Sequence, residues 1–160
     1  MHDSIELVAY SLIKQSLMLA TAESCTGGMM AAACTDLAGS STWFERGFVT
    51  YSNVAKTQML DVPALLINEH GAVSEPVVRA MAKGALAHSH AQVAIAVTGV
   101  AGPSGGSAHK PVGTVWFGFA VGGQVYSERM HFDGDRAAIR QAAVKHGFTR
   151  LAELFKPEQQ

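Results

Sequence analysis

Residues 91–127 contain only one charged side chain, Lys110, which restricts most of this segment to buried structure. Residues 91–98 (AQVAIAVT) form an apolar run of the kind that parallel sheets bury on both faces. Buried strands explain the missing charges, but they do not explain the glycine-rich loop that follows at residues 98–106 (TGVAGPSGG). Open α/β sheets bind ligands at such loops, where bare backbone N–H groups can receive an anionic or carbonyl oxygen. The segment therefore predicts a central strand that leads into a binding loop.

Helical and strand patterns alternate along the rest of the chain. The predicted helices, which show apolar spacing and capping residues, cover residues 4–18, 29–37, 53–60, 75–88 and 135–155. The other predicted strands cover residues 17–22, 48–51, 112–121 and 124–132. Gly122-Gly123 is typical of a hairpin turn. Ser74 is the predicted N-cap of the helix at 75–88, and Asp3 or Ser4 is the predicted N-cap of the first helix. This order predicts an α/β fold, a single domain over residues 1–160 with three α/β/α layers around a mixed, mostly parallel sheet.

The charge balance excludes several classes of partner. The 12 Lys and Arg residues nearly balance the 13 Asp and Glu residues, and no basic block is present, which argues against nucleic acid. No apolar run approaches the ~20 residues of a membrane span, and Asp3 and Glu6 stand where a signal peptide would be basic. Two cysteines, Cys25 and Cys34, in a chain of this size favour a reducing compartment. We therefore expect a cytoplasmic protein, and the charge-poor composition predicts a homodimer.

Residues 21–28 (TAESCTGG) place Ser24 and Cys25 at a turn between a predicted strand and a predicted helix. A nucleophile at this position gains from the positive end of the helix, and neighbouring N–H groups can stabilise an oxyanion. The same residues also suit a capping segment, with Ser24 or Thr26 as the N-cap and the two glycines allowing close packing. The sequence leaves both interpretations open.

Tyr51 and Lys56 lie around a predicted strand end and the first turns of the next helix. A lone lysine on a helix is usually a solvated surface group. If Lys56 points inward instead, burial lowers its pKa and leaves a neutral amine that can accept a proton from a serine hydroxyl. Lys56 and Ser24 would then form a Ser-Lys pair, although the sequence does not show that they meet.

Arg136 and Arg140 are four residues apart in the last helix and therefore share a face. That face is either solvated or presents a guanidinium that binds a phosphate or carboxylate.

Two literal motifs are rejected: the G-x-S-x-G match at residues 102–106 precedes a β-run, and the S-x-x-K match at 11–14 lies inside a helix. The seven histidines show no recognised metal-binding spacing, so we expect no metal site.

Six ordered segments together resemble one known family. They are TAESCTGG at 21–28, GFVTYSN at 47–53, GAVSEP at 71–76, TGVAGP at 98–103, KPVGTV at 110–115 and GDR at 134–136. These segments resemble signatures of the CinA C-terminal domain family, in the family's order and over nearly the whole chain. The resemblance is greatest to the stand-alone bacterial members that act as nicotinamide-nucleotide amidases.

The resemblance implies hydrolysis of the carboxamide of nicotinamide mononucleotide to nicotinate mononucleotide and ammonia, in pyridine-nucleotide recycling. It implies Ser24 as the nucleophile, Lys56 as its general base, Tyr51 near this pair, and Arg140 as a contact of the substrate or transition state. It implies the α/β/α fold and no cofactor. Two alternatives stay open: Cys25 as the nucleophile, and a nucleotide-binding regulatory module without catalysis.

The expected substrate contacts lie in the two glycine-rich segments and one basic side chain. They are Cys25, Thr26, Gly27, Gly28, Thr98, Gly99, Gly102 and Lys110. The substrate's phosphate requires a cationic or N–H-rich site. Arg140, Lys110, the 99–106 loop and the glycines at 27–28 are all candidates, which the sequence does not rank.

Overall fold

The structure is a computed structural model that describes residues 2–155. The helices in this part of the chain are α1 (His2–Gln15), α2 (Met29–Thr35), α3 (Asn53–Leu60), α4 (Ala64–His70), α5 (Glu75–Ala87) and α6 (Arg136–Leu154). The strands are β1 (Leu19–Glu23), β2 (Phe44–Val49), β3 (Val93–Gly99), β4 (Thr114–Val121) and β5 (Gln124–His131). None of these helices is both long and apolar enough to cross a membrane.

The strands form one mixed sheet in the order β2-β1-β3-β4-β5. β1 pairs in parallel with β2 and β3, whereas β4 pairs antiparallel with β3 and β5, so β4 alone runs against the other strands. β3 lies at the centre and is buried along nearly its whole length, as the sequence predicted. The predicted hairpin across Gly122-Gly123 joins β4 to β5. The α/β fold class is therefore confirmed.

Helices cover both faces of the sheet and make the predicted three layers. Side chains of α1, α2 and α6 pack on the face that carries Val93, Ile95 and Val97 of β3. Side chains of α3, α4 and α5 pack on the opposite face, where β3 presents Ala94 and Ala96. Because successive side chains of a strand alternate between faces, one strand contributes large residues to one layer and small residues to the other.

The small residues let α5 approach the sheet and its neighbouring helix closely. A Cβ atom on Gly118 of β4 would lie 2.7 Å from the carbonyl oxygen of Val78 in α5. A Cβ atom on Gly84 of α5 would overlap the carbonyl oxygen of Leu60, the last residue of α3. These two contacts fix the position of α3, the helix that carries Lys56.

The carboxyl ends of β2, β1 and β3 lie at one edge of the sheet, because these strands are parallel. From β1 the chain passes to β2 on one side, and it then crosses to β3 on the other side of β1. Such a reversal of strand order opens a crevice at the carboxyl ends, where α/β proteins bind ligands. The loops after β1 and β3, which the sequence singled out, therefore meet at this crevice.

Two local predictions were wrong, and one helix was not predicted. β2 begins at Phe44, before the predicted start at residue 48, because an edge strand tolerates charged residues such as Glu45 and Arg46. The seven-residue helix α4, which follows Pro63, was not predicted. Asp3 and Ser4 lie inside α1, which already includes His2, so neither of them is the N-cap.

Replacing Gly84 with alanine is expected to destabilise the protein. The new methyl group would overlap the Leu60 carbonyl, and overpacking of this kind costs about 1–3 kcal/mol. Alanine would otherwise stabilise a helix by about 1 kcal/mol relative to glycine, so a net loss reports the overlap. Urea unfolding measures the change in the free energy of unfolding.

Lys83→Ala is the matched control, because Lys83 is the exposed neighbour of Gly84 on α5. It should change the free energy of unfolding by less than about 0.5 kcal/mol. A Gly84→Ala protein as stable as the unmodified chain would show that α3 is not held by this contact.

Candidate active site

A cavity of about 380 Å³ lies at the carboxyl ends of β1, β2 and β3. This volume is within the range of sites that bind small molecules. Seven of the predicted site residues line the cavity: Ser24, Cys25, Tyr51, Lys56, Thr98, Gly99 and Gly102. Asn53, which was not predicted, lines it as well. So do Ser104, from the 99–106 loop that was a phosphate candidate, and Arg136, one of the two arginines that share a helical face.

Ser24 and Lys56 meet at the base of this cavity. The Nζ atom of Lys56 is 2.9 Å from the Oγ atom of Ser24. Nζ also donates to the carbonyl oxygens of Thr50, at 2.9 Å, and Tyr51, at 3.2 Å. The lysine is 1% exposed and the serine 8% exposed, so the contact is shielded from bulk water. The interpretation of Lys56 as a solvated surface lysine is therefore wrong.

Burial lowers the pKa of Lys56 from 10.5 to about 8, because a desolvated ammonium loses its hydration. The three contacts of Nζ suit both protonation states. The ammonium donates one N–H to each oxygen. In the neutral amine, the two remaining N–H groups serve the carbonyls of Thr50 and Tyr51, and the lone pair can accept the Ser24 hydroxyl proton. The site thus holds an amine that is oriented toward the serine.

Local structure explains why Lys56 points inward. The Ser52 hydroxyl caps α3 by accepting the N–H of Ala55, at 3.0 Å, and so starts the helix just after β2. The N–H of Thr50 donates to the Glu23 carbonyl at 2.8 Å, which ties the end of β2 to β1. The lysine therefore reaches the turn after β1 from the neighbouring strand connection.

Glu23, the last residue of β1, holds the turn that carries Ser24. It is fully buried, and its carboxylate accepts the Thr26 hydroxyl at 2.6 Å and the N–H groups of Met30 and Ala31 at 2.8 and 3.1 Å. Met30 and Ala31 lie in the first turn of α2, where a negative charge is favoured. Glu23 was not among the predicted functional residues, although an acidic side chain just before a strand-to-helix turn is a recognisable signal.

This arrangement corrects the predicted capping. The N-cap of α2 is Gly28, with φ +105°, which has no side chain to cap with. The Thr26 hydroxyl donates to Glu23, and the Ser24 hydroxyl contacts Lys56. Neither Ser24 nor Thr26 is therefore the N-cap.

Cys25 lines the cavity but is chemically unlike Ser24. Burial raises the pKa of its thiol to about 11, with a smaller contribution in the same direction from Glu23. A thiol needs to lose its proton to become a good nucleophile. The structure therefore disfavours Cys25 as the nucleophile.

The two arginines of α6 lie in different surroundings. Arg140 donates from Nε to the carbonyl oxygen of Cys25 at 3.0 Å and from Nη2 to that of Thr26 at 3.3 Å, and it does not line the cavity. Arg136 lines the cavity and donates to the Gly102 carbonyl at 2.7 Å. Arg140 thus supports the turn from behind, and Arg136 is the arginine that faces the cavity.

The loop after β3 forms the opposite wall. The Thr98 hydroxyl donates to the Ala72 carbonyl at 3.0 Å, and a Cβ on Gly99 would lie 3.2 Å from the sulfur of Cys25. Glycine at position 99 therefore allows the two loops to approach each other. The predicted contacts that do not line the cavity are Thr26, Gly27, Gly28 and Lys110. Lys110 instead donates to the His70 carbonyl at 2.7 Å.

No group of three or more His, Cys, Asp or Glu side chains that could hold a metal ion occurs within residues 2–155. The chemical groups at the cavity are hydroxyls, an amine, a thiol, a phenol, a side-chain amide, a guanidinium and backbone groups.

Solved structures that share this fold show the class of protein to which the chain belongs. A crystal structure of competence damage-inducible protein A from Klebsiella pneumoniae matches with a TM-score of 0.94 and 42% identity, over 99% of this chain and 98% of that one. A competence/damage-inducible protein from Agrobacterium tumefaciens matches with a TM-score of 0.93 and 44% identity, over 97% and 95%. The fold is thus that of the CinA superfamily.

The chain belongs to the CinA C-terminal domain family, whose model matches residues 2–155. Two similar relatives are both named nicotinamide-nucleotide amidohydrolase PncC. The protein from Enterobacter agglomerans is 54% identical, over 96% of this chain and 94% of the relative. The protein from Escherichia coli K12 is 52% identical, over 94% and 92%. The family predicted from the sequence motifs is confirmed.

Glu23→Gln is expected to destabilise the protein by about 2 kcal/mol, because the new amide NH₂ would face a backbone N–H that the carboxylate now accepts. Urea unfolding measures this loss. Glu6→Gln is the control, since Glu6 is an exposed residue of α1 and should change stability by less than about 0.5 kcal/mol. Equal stability of the Glu23 and Glu6 variants would contradict the role of Glu23 in holding the turn.

Proposed function

We propose that this chain hydrolyses the carboxamide of nicotinamide mononucleotide to nicotinate mononucleotide and ammonia, with Ser24 as the nucleophile and Lys56 as the general base. The amidohydrolase class rests on relatives of 52–56% identity that carry this name. The mechanism rests on one observation, the buried 2.9 Å contact between the Lys56 amine and the Ser24 hydroxyl. We place the reaction in cytoplasmic pyridine-nucleotide recycling, and a homodimer stays a prediction.

In the first half of the reaction, neutral Lys56 accepts the hydroxyl proton of Ser24 as Oγ attacks the carboxamide carbon. An amide is a poor electrophile, so the tetrahedral oxyanion requires donors placed in advance. The backbone N–H of Cys25, the residue after the nucleophile, is our candidate donor. Lys56, now an ammonium, returns its proton to the nitrogen as the C–N bond breaks and ammonia leaves.

In the second half, water attacks the ester that remains on Ser24. Lys56 accepts a proton from this water and donates it to Oγ as the ester bond breaks, which releases the carboxylic acid and restores the site. The carbonyls of Thr50 and Tyr51 keep two N–H groups of the lysine bound throughout. The same amine can therefore serve both halves without changing its position.

Tyr51 and Arg140 have different proposed roles. The Tyr51 side chain is 63% exposed at the cavity, and its hydroxyl accepts a hydrogen bond from Arg136 at 3.3 Å. It is placed to cover a bound substrate. Arg140 fixes the carbonyls of Cys25 and Thr26, so we propose that it positions the turn rather than contacting the substrate.

A catalytically silent nucleotide-binding module is the competing function. It requires neither the Ser24–Lys56 contact nor the lowered pKa of the lysine. Burying an amine beside a hydroxyl without a chemical use would only cost stability. The enzymatic function therefore explains an arrangement that the binding function leaves unexplained.

Ser24→Ala and Lys56→Met are each expected to lower ammonia release from nicotinamide mononucleotide by about 10³-fold or more. The first variant removes the nucleophile, and the second removes the base while keeping an unbranched side chain in the buried site. Coupled detection of ammonia measures the rate. Full activity of either variant would exclude the pair.

Cys25→Ala separates the hydroxyl from the neighbouring thiol. It should retain turnover within about tenfold of the unmodified enzyme, because the thiol stays protonated near neutral pH. A loss as large as that of Ser24→Ala would favour the thiol as nucleophile. Tight binding of the mononucleotide with no ammonia from the unmodified protein would favour the silent module.

The pH dependence of kcat/KM follows from the pKa of Lys56. Below about pH 8 the buried lysine of the free enzyme is protonated and has no lone pair for the Ser24 proton. We therefore expect kcat/KM to rise with pH, with a midpoint of about 8, and to level off above it. Initial rates over this range measure the profile, and a rate that falls with pH through 8 would contradict a neutral lysine base.

A further inference from the structure

Arg136, the first residue of α6, brings a permanent positive charge to the cavity. Among the described residues that line the cavity, Lys56 is the other cation, and no Asp or Glu is present. Lys56 has to give up its charge to act as a base, whereas a guanidinium keeps its charge at every physiological pH. The cavity is therefore suited to an anionic ligand, although the whole chain carries a net charge of -1.

The guanidinium of Arg136 is held on two sides. Its Nη1 atom donates to the carbonyl oxygen of Gly102 at 2.7 Å, and its Nη2 atom donates to the hydroxyl of Tyr51 at 3.3 Å. A guanidinium has five N–H groups, so these two bonds leave most of its donors available. Arg136 is thus oriented by the binding loop and still able to bind a ligand.

No carboxylate neutralises Arg136 within the described part of the chain. The adjacent carboxylate, that of Asp135, accepts the N–H of Ala138 at 2.9 Å and caps α6. Two other arginines are paired with carboxylates: Arg46 contacts Glu45, and Arg150 contacts Glu128 and Glu153. An arginine without an ion pair at a cavity wall is a candidate for binding a phosphate or carboxylate.

The other cationic candidates for the phosphate lie elsewhere. The guanidinium of Arg140 is engaged by the carbonyls of Cys25 and Thr26, and the amine of Lys110 by that of His70. Neither side chain lines the cavity. The structure thus ranks the cations that the sequence left unranked.

We propose that Arg136 binds the phosphate of the substrate and thereby selects a nucleotide over the corresponding nucleoside. This inference rests on the proposed function, since it assigns one part of the same substrate. The fork of N–H groups matches two oxygens of a phosphate monoester, and Ser104 and Gly105 of the adjoining loop line the same cavity. Ser24 and Lys56 at the base of the cavity then face the carboxamide at the other end of the ligand.

The test compares two substrates, nicotinamide mononucleotide and nicotinamide riboside, which lacks the phosphate. Arg136→Gln should lower kcat/KM for the mononucleotide by about 50-fold, because a hydrogen-bonded charge is lost. It should leave kcat/KM for the riboside within about threefold, since there is no phosphate contact to remove. Arg136→Lys, which keeps the charge but not the fork, should be intermediate on the mononucleotide.

Arg150→Gln is the matched control, because Arg150 lies on the same helix and pairs with Glu128 and Glu153. It should change kcat/KM for both substrates by less than about twofold. An equal loss on both substrates in Arg136→Gln would show that Arg136 acts through Tyr51 or Gly102, and would overturn the proposal. Unchanged activity on the mononucleotide would overturn it as well.

Calorimetric titration separates failure of this proposal from failure of the proposed function. If the unmodified protein releases no ammonia, its dissociation constants for the mononucleotide and the riboside still report phosphate recognition. A preference for the mononucleotide that Arg136→Gln removes supports the role of Arg136. No preference in the unmodified protein, or the same preference in Arg136→Gln, overturns it.

Discussion

The buried amine of Lys56 is the constraint on which the rest of the site depends. Removing an ammonium from water is costly, and the chain offsets this cost with three oxygens around Nζ, from Ser24, Thr50 and Tyr51. Those oxygens come from the turn after β1 and the connection after β2, so the pairing of these strands creates the amine's surroundings. A shift of α3 would move Nζ away from all three oxygens, which is why the close contact of Gly84 with Leu60 bears on the chemistry.

The turn after β1 is fixed by charges of opposite sign on its two sides. Glu23 accepts N–H groups at the start of α2, and Arg140 donates to the carbonyls of Cys25 and Thr26. Two N–H groups at the start of α2 and two carbonyls of the turn are thereby satisfied without the Ser24 side chain. Its hydroxyl is therefore left to contact Lys56, as the proposed role of Ser24 as nucleophile requires.

Features that depend on nearby residues could be predicted from the sequence, whereas features that depend on distant segments could not. The bounds of α3 and the hairpin across Gly122-Gly123 follow from capping, periodicity and turn residues within a few positions. The residue types of Ser24 and Lys56 suggested a pair, but their contact requires the β1–β2 pairing and the direction of α3. Arg136 and Arg140 share a helical face, so spacing alone does not reveal which of them reaches the cavity.

The two cations of the cavity make opposite demands on the protein, and their placement meets both. Lys56 acts as a base only when it is neutral, and burial at the base of the cavity favours that form. An anionic substrate brought beside Lys56 would favour the ammonium instead and oppose the reaction. A phosphate held by Arg136, at the wall formed by the Gly102 loop and Tyr51, has its charge compensated there. If Arg136 binds the phosphate as proposed, recognition at the wall helps to keep the amine at the base neutral, and it separates the two functions of positive charge in one small site.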